Sequence, residues 1–206
     1  MRYTGPKNRI SRREGVDLGL KTPGSKSHAR LLKKLNVMPG QHGTRTRRKV
    51  SERGYQLREK QKLRFLFGVT EKQLKKYFKI SKVKKGNTAL HLSKFLEKRF
   101  DNIVFRSGFV PTRAAARQLI SHGHITLNQK KVTTASYQVS VGDVIGFSSE
   151  KIIKVPYIEK MITNKDFITP SWIERKATVG KLTAEPTSES IENQINLRLV
   201  IEYYSR

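Results

Sequence analysis

A chain of 206 residues with 43 Lys+Arg against 16 Asp+Glu, formally +27, departs from the balance of an ordinary enzyme and implies an anionic partner, nucleic acid foremost. The absence of cysteine excludes disulfides, thiolate metal sites and cysteine nucleophiles together. No apolar run reaches the roughly 18 residues of a membrane span, and Met1 to Lys7 lacks the apolar stretch of a signal peptide, so the expected place is the site of synthesis, the cytoplasm or an organelle.

The charge is uneven, with a net +18 on residues 1–79 and +9 on residues 80–206. From Met1 to about Gly24, scattered Gly and Pro suggest irregular, extended structure: a disordered basic tail, or a segment anchored by Ile10, Val16, Leu18 and Leu20. Ser25 to Leu35 reads as a short basic helix with Leu31, Leu32 and Leu35 on its apolar face, broken at Pro39-Gly40-Gln41-His42-Gly43. A Gly-flanked His can approach RNA closely, though a lone His such as His42 is more often a plain loop residue. Thr44 to Lys49 is a phosphate patch or a solvated run.

In Tyr55 to Phe67, Leu63, Leu66 and Phe67 form a helical seam, which leaves Arg58, Lys60, Lys62 and Arg64 for solvent. Thr70 and Gln73 have capping-box spacing ahead of Leu74, Tyr77 and Phe78, which are spaced as core residues. After the basic linker Lys82 to Gly86, Asn87 caps a helix with the stripe Leu92, Phe95, Leu96 and Phe100.

The most legible unit runs from Arg99 to Phe147. One helical stripe ends at Gly108, a second starts at the N-cap Thr112 and stops at Gly123, and the strands Ile125 to Leu127 and Val144 to Phe147 follow. Arg113 and Arg117 lie four apart on one helical face, a repulsive pair that an RNA backbone would relieve. Beyond Phe147 the sequence suggests a helix to about Met161, a turn at Pro170-Ser171-Trp172 with the Trp as packing anchor, and a polar loop over 183–190. The alternation of Leu197, Leu199 and Ile201 predicts a half-buried terminal strand.

Arg99 to Phe147 resembles the small RNA-binding module named after the S-four family of small-subunit ribosomal proteins. The motifs Arg2 to Lys7, Arg12 to Gly15, Pro39 to Gly43, Leu57 to Arg64, Lys85 to Thr88, Pro170 to Trp172 and Tyr204 to Arg206 match the bacterial and organellar type of that family, in order. The resemblance implies an α+β fold: a helical N-terminal domain over 1–95, completed by a C-terminal segment at about 165–206, with the module inserted over 96–160. It further implies a structural constituent of the small ribosomal subunit, on a cytoplasmic ribosome or one encoded by an organelle. Such a protein binds ribosomal RNA early at a multi-helix junction, nucleates assembly, and influences decoding accuracy with ribosomal protein S-five. Other small-subunit proteins would be partners; a membrane, a cofactor and a homo-oligomer would not.

Motifs and basic runs together nominate an RNA-binding set. It comprises Arg2, Tyr3, Lys7, Arg12 and Arg13 near the start, Gln41, His42 and Gly43 in the loop, and Arg47 and Arg48 beyond it. Arg58, Lys60, Gln61, Lys62 and Arg64 follow on a helix, with Lys84 and Lys85 in the linker. The module supplies Arg106, Arg113, Arg117, Gln118, Ser121, His122, His124, Lys130 and Lys131.

Two departures stand out. Many relatives carry a Cys-x-x-Cys half of a zinc site where this chain has Asn8 and Ser11, so it resembles the zinc-free branch and no metal is expected. Asn128-Gln129 stands where relatives usually have Asn-Gly, which should strain a two-residue turn or force a different one. Arg99-Phe100-Asp101 resembles the Arg-Leu-Asp motif of pseudouridine synthases. No stretch resembles their catalytic domain, so Asp101 is expected to pair with an arginine or cap the turn, and no catalytic activity is expected. The rival readings are an RNA-modifying enzyme or other binder built on the same module, and a nonspecific basic chaperone.

Overall fold

In the computed structural model, which describes residues 3–45, 49–164, 167–187, 191, 193 and 195–205, short polar caps start most helices and mark where the chain changes direction. Ser25, Ser51, Thr70 and Thr112 each accept a hydrogen bond from the backbone N–H three residues on. Thr70 and Gln73 complete the reciprocal capping box. The chain divides into two units, one of residues 1–92 with 189–206, the other of residues 93–188.

The first unit holds α1 (Lys7–Glu14), α2 (Lys26–Lys33), α3 (Glu52–Leu66), α4 (Glu71–Val83), the start of α5 (Thr88–Glu97), and a terminal helix. The N-terminal segment is thus more regular than its composition suggests. Pro6 leads α1, Gly15 ends it in the left-handed region at φ 69°, and Ile10 and Leu18 are buried. In α2, Leu31 is buried and Leu32 faces outward, which narrows the expected apolar face.

The terminal strand reading is corrected. Leu197–Ser205 is a helix, and its buried face is Leu197 and Val200 rather than the alternating Leu197, Leu199 and Ile201. The Asn196 side chain accepts from the backbone N–H groups of Arg198 and Leu199, so a cap decides a stretch whose apolar run fits both periods. This helix packs on α3. Gln56 donates to Glu202 at 3.2 Å, and Glu59 accepts from the Asn196 N–H at 3.0 Å. It also reaches α4, where Tyr204 stacks on Phe78 and donates to Glu71 at 2.7 Å.

The second unit begins with α6 (Phe100–Arg106) and α7 (Arg113–Ser121). The stripe expected to run unbroken from Leu92 to Phe100 is interrupted, because Arg99 is extended and bridges to Gln138. Strands β1 (Ile125–Leu127), β2 (Lys130–Lys131) and β3 (Val144–Phe147) follow, then α8 (Glu150–Ile153) and α9 (Pro156–Thr163). A hairpin of β4 (Ile173–Lys176) and β5 (Val179–Leu182), absent from the sequence reading, completes an antiparallel sheet of order β2-β1-β3-β5-β4. The terminal helix of the first unit is α10. The sheet and the α6–α7 pair share one core, in which Trp172 is buried beside Ile103, Leu119, Ile145 and Leu182.

Asn128 and Gln129 both adopt positive φ, 49° and 65°, so the expected strain is present and the two-residue turn is kept. The Asn128 side chain secures it, donating to Asp143 at 2.8 Å and accepting from the Val144 N–H at 2.9 Å.

Candidate nucleic-acid interface

In the module, α5, α6 and α7 converge on an ionic network. Asp101 is 1% exposed and binds Arg99 through two hydrogen bonds of 3.1 and 2.8 Å, while the Arg117 Nε donates to it at 3.0 Å. Glu97, fully buried, accepts from Arg106 at 2.7 Å and from the Asn102 amide. Asn102 in turn accepts from Arg113 Nε at 2.8 Å, and the Arg113 guanidinium lies 4.5 Å from the Phe105 ring centroid. Burial, and then the neighbouring Arg106, lower the Arg113 pKa to about 10, so it stays charged at neutral pH.

This corrects the reading of Arg113 and Arg117 as a pair relieved by RNA. The network's carboxylates supply the opposing charge, and Asp101 pairs with arginine as expected. Arg106, Arg113 and Arg117 are structural first, whatever else they touch.

What the module presents outward lies at the end of α7 and along the first hairpin. Gln118, Ser121, His122, Lys130 and Lys131 are exposed, and His124 is half-buried with its ring edge-on to His122. Ser121 donates to the Arg117 carbonyl at 2.9 Å.

In the helical unit the nominated residues divide the same way. Arg13, Gln41, His42, Lys84 and Lys85 are exposed, and Lys7, Arg58, Gln61 and Arg64 half-exposed. Tyr3 is exposed with its ring edge-on to Phe65, over which Arg64 also lies. Arg12 is turned inward, donating to the carbonyls of Val37 and Met38 at 2.9 and 3.0 Å. Gly43 serves the loop itself, because a Cβ there would fall 1.9 Å from the Met38 carbonyl oxygen. Lys62 pairs with Glu59 at 2.6 Å. Arg2, Arg47 and Arg48 lie outside the described residues, as does Arg206 of the terminal motif.

Lys60 is a further correction. Expected in solvent, it is 4% exposed, 3.0 Å from Glu71 and 4.7 Å above the Tyr203 ring centroid. Burial alone would raise the Glu71 carboxyl; hydrogen bonds from Tyr204 and Lys60 overcome it and hold it below the ordinary value. Burial, and then the bond to Glu71, push the Tyr204 hydroxyl up. The partners come from α4 and α10, so the sequence around Lys60 carries no sign of them.

The sequence reading missed a cationic face on α4. Lys72, Lys75, Lys76, Lys79 and Lys82 are all exposed, while Leu74, Phe78 and Ser81 form the buried side. Spacings of three, four and seven residues were the available signal.

The residues at the family's zinc position do not fit that metal. Asn8 donates to the Ser27 carbonyl at 3.0 Å and Ser11 is buried, and neutral amide and hydroxyl groups are poor zinc ligands. Among the described residues, no cluster of three His, Cys, Asp or Glu could hold a metal ion.

The family model described as "Ribosomal protein S4/S9 N-terminal domain" matches residues 2–97, and the one described as "S4 domain" matches residues 98–145. Proteins named small ribosomal subunit protein uS4 match end to end. That of Stenotrophomonas maltophilia is 43% identical over 212 residues, that of Xanthomonas campestris 42% over 209, and that of Herpetosiphon aurantiacus 44% over 211. Each alignment covers 100% of this chain and 99% of the relative.

Proposed function

This chain belongs to the small ribosomal subunit protein uS4 family, and from that premise we propose that it binds small-subunit ribosomal RNA at a multi-helix junction and nucleates subunit assembly there. It is a ribosomal protein of the small subunit with an RNA-binding module, not an enzyme. The same reading gives it ribosomal protein S-five as a neighbour with a share in decoding accuracy, a place on cytoplasmic ribosomes, and no homo-oligomer.

The observation that most supports this reading is where the cations stand. The helical unit exposes Arg9, Arg13, Lys26, Arg30 and Lys33 on its first two helices, Lys34 just past them and five lysines on α4, while the module exposes Lys130, Lys131 and His122. Charge spread over two units suits a protein that bridges RNA helices by their phosphates, with few base-specific contacts. In this reading, residues 1–95 with the C-terminal segment grip one part of the junction and residues 96–160 another.

Filter binding to small-subunit ribosomal RNA tests it. Binding should be saturable, tight at moderate salt, and steeply weakened as salt rises. Affinity no better than for an unrelated structured RNA would sink the proposal.

A further inference from the structure

We infer that the lysine face of α4 is a binding surface for the backbone of double-stranded RNA. The inference rests on the RNA-binding reading above and adds a surface separate from the module. Five like-charged side chains line one side of a helix of 13 residues: Lys72, Lys75, Lys76, Lys79 and Lys82. Lys72 opposes Lys75 and Lys76, and Lys79 opposes Lys75, Lys76 and Lys82, each pair at a spacing that works against the helix. None of the five is ion-paired with another of the described residues. The one carboxylate on α4, Glu71, is committed to Lys60 and Tyr204. The helix carries this repulsion with no ion pair of its own to offset it, and a row of phosphates would supply that offset.

The face itself favours duplex RNA. From Lys72 to Lys82 the helix rises about 15 Å, a straight rod of cations suited to a ridge of phosphates. All five are lysines, compact point charges that meet phosphate without reading a base edge. Single-stranded RNA would call for aromatic platforms, but Phe78 is buried against Tyr204 and Tyr77 is half-buried away from the lysine row. The exposed apolar side chains beside the row, Ile80 and Val83, are small enough to meet sugars in the wide, shallow minor groove of A-form RNA. A bilayer would need the apolar face of α4, which Leu74 and Phe78 already bury within the unit.

The test is a full-length variant carrying Lys75→Gln, Lys76→Gln and Lys79→Gln, measured against two targets: small-subunit ribosomal RNA and a plain RNA duplex of about two helical turns. On both, affinity should fall on the order of tenfold and the salt slope should flatten by about 2 to 3, one phosphate contact per lysine. The free protein's melting temperature should hold or rise, because repulsion is removed. The matching Lys→Arg triple should keep the slope, and should the triple fail to fold, the single variants Lys76→Gln and Lys79→Gln should each flatten it by about 1. An unchanged slope on the duplex overturns the inference, even if subunit incorporation falls, since the face would then serve an acidic protein. Loss of discrimination between ribosomal and unrelated RNA by the wild type would overturn the proposed function instead, leaving the duplex measurement to judge this face alone.

Discussion

The arginines of α6 and α7 and the lysines of α4 are both clusters of like charge carried on helices, yet the fold uses them in opposite ways. Arg106, Arg113 and Arg117 fold back on Glu97, Asn102 and Asp101. The α4 lysines stay in solvent. The chemistry of the two cations accounts for the division. A guanidinium is planar, weakly hydrated and forked, so it can enter a half-buried site and satisfy carboxylates there; an ammonium holds its water and is cheaper to leave outside. Lys60 marks the limit of that rule. It is buried only because a carboxylate and an aromatic ring both meet it. Excess positive charge in a composition therefore does not measure a binding surface until its internal partners are found.

The largest expected effect breaks the arginine side of this contrast. Asp101→Ala leaves Arg99 and Arg117 without their shared carboxylate, and removing one partner of a buried ion pair costs about 3–5 kcal/mol. Trp172 is the only tryptophan and sits in the core of the second unit, so its fluorescence during urea denaturation reports this unit. A loss below about 1 kcal/mol would mean that the network is solvated and that its arginines are as available as the lysines.

Much of this was legible in advance, and the failures have a common cause. Caps and turns are local, so Thr70, Thr112 and Gly108 could be read directly, and one strand of the module could be placed after Gly142. The anion opposite Arg117 could not be read from the spacing of Arg113 and Arg117, because Asp101 arrives from the preceding helix. The β4–β5 hairpin escaped because Gly180 weakens the apolar strand pattern of β5, and its turn uses Ala177 at φ 48° instead of the Asn or Gly that signals such turns. The run from Leu197 to Tyr204 satisfies both periods, and only the Asn196 cap separates helix from strand.

A smaller effect separates the presentation of exposed lysines from their charge. Gln129 holds φ 65° in the turn that carries Lys130 and Lys131, and a left-handed conformation costs a non-glycine residue roughly 1–2 kcal/mol. Gln129→Gly should recover up to about 1 kcal/mol of module stability by the same fluorescence measurement, because glycine gives back part of the gain as unfolded-chain entropy. The salt slope of RNA binding should stay where it was. A changed slope would show that the turn's strain helps to place those lysines on RNA.

The smallest effect concerns cations that belong to neither class. Lys94 and Lys98 are on the surface, yet both reach Glu185, at 2.5 and 3.0 Å, and so pin the loop after β5 to the C-terminal end of α5 and the residue that follows it. Hydrogen bonds from Lys94 and then Lys98 lower the Glu185 pKa to about 2. A carboxyl depressed on folding stabilises the native state above its unfolded pKa, here 4.5, and that contribution disappears as pH falls through the folded value. With Glu185 half exposed, the contribution is about 1 kcal/mol or less. Trp172 is a suitable reporter, since its carbonyl accepts from the Thr183 N–H at 3.0 Å at the start of this loop. Glu185→Gln should lower stability slightly at neutral pH and remove a share of the acid sensitivity between about pH 4.5 and 2, and added salt should narrow the gap between the two proteins. If variant and wild type lose stability in parallel through that window, Lys94 and Lys98 are in effect unpaired and belong with the lysines of α4.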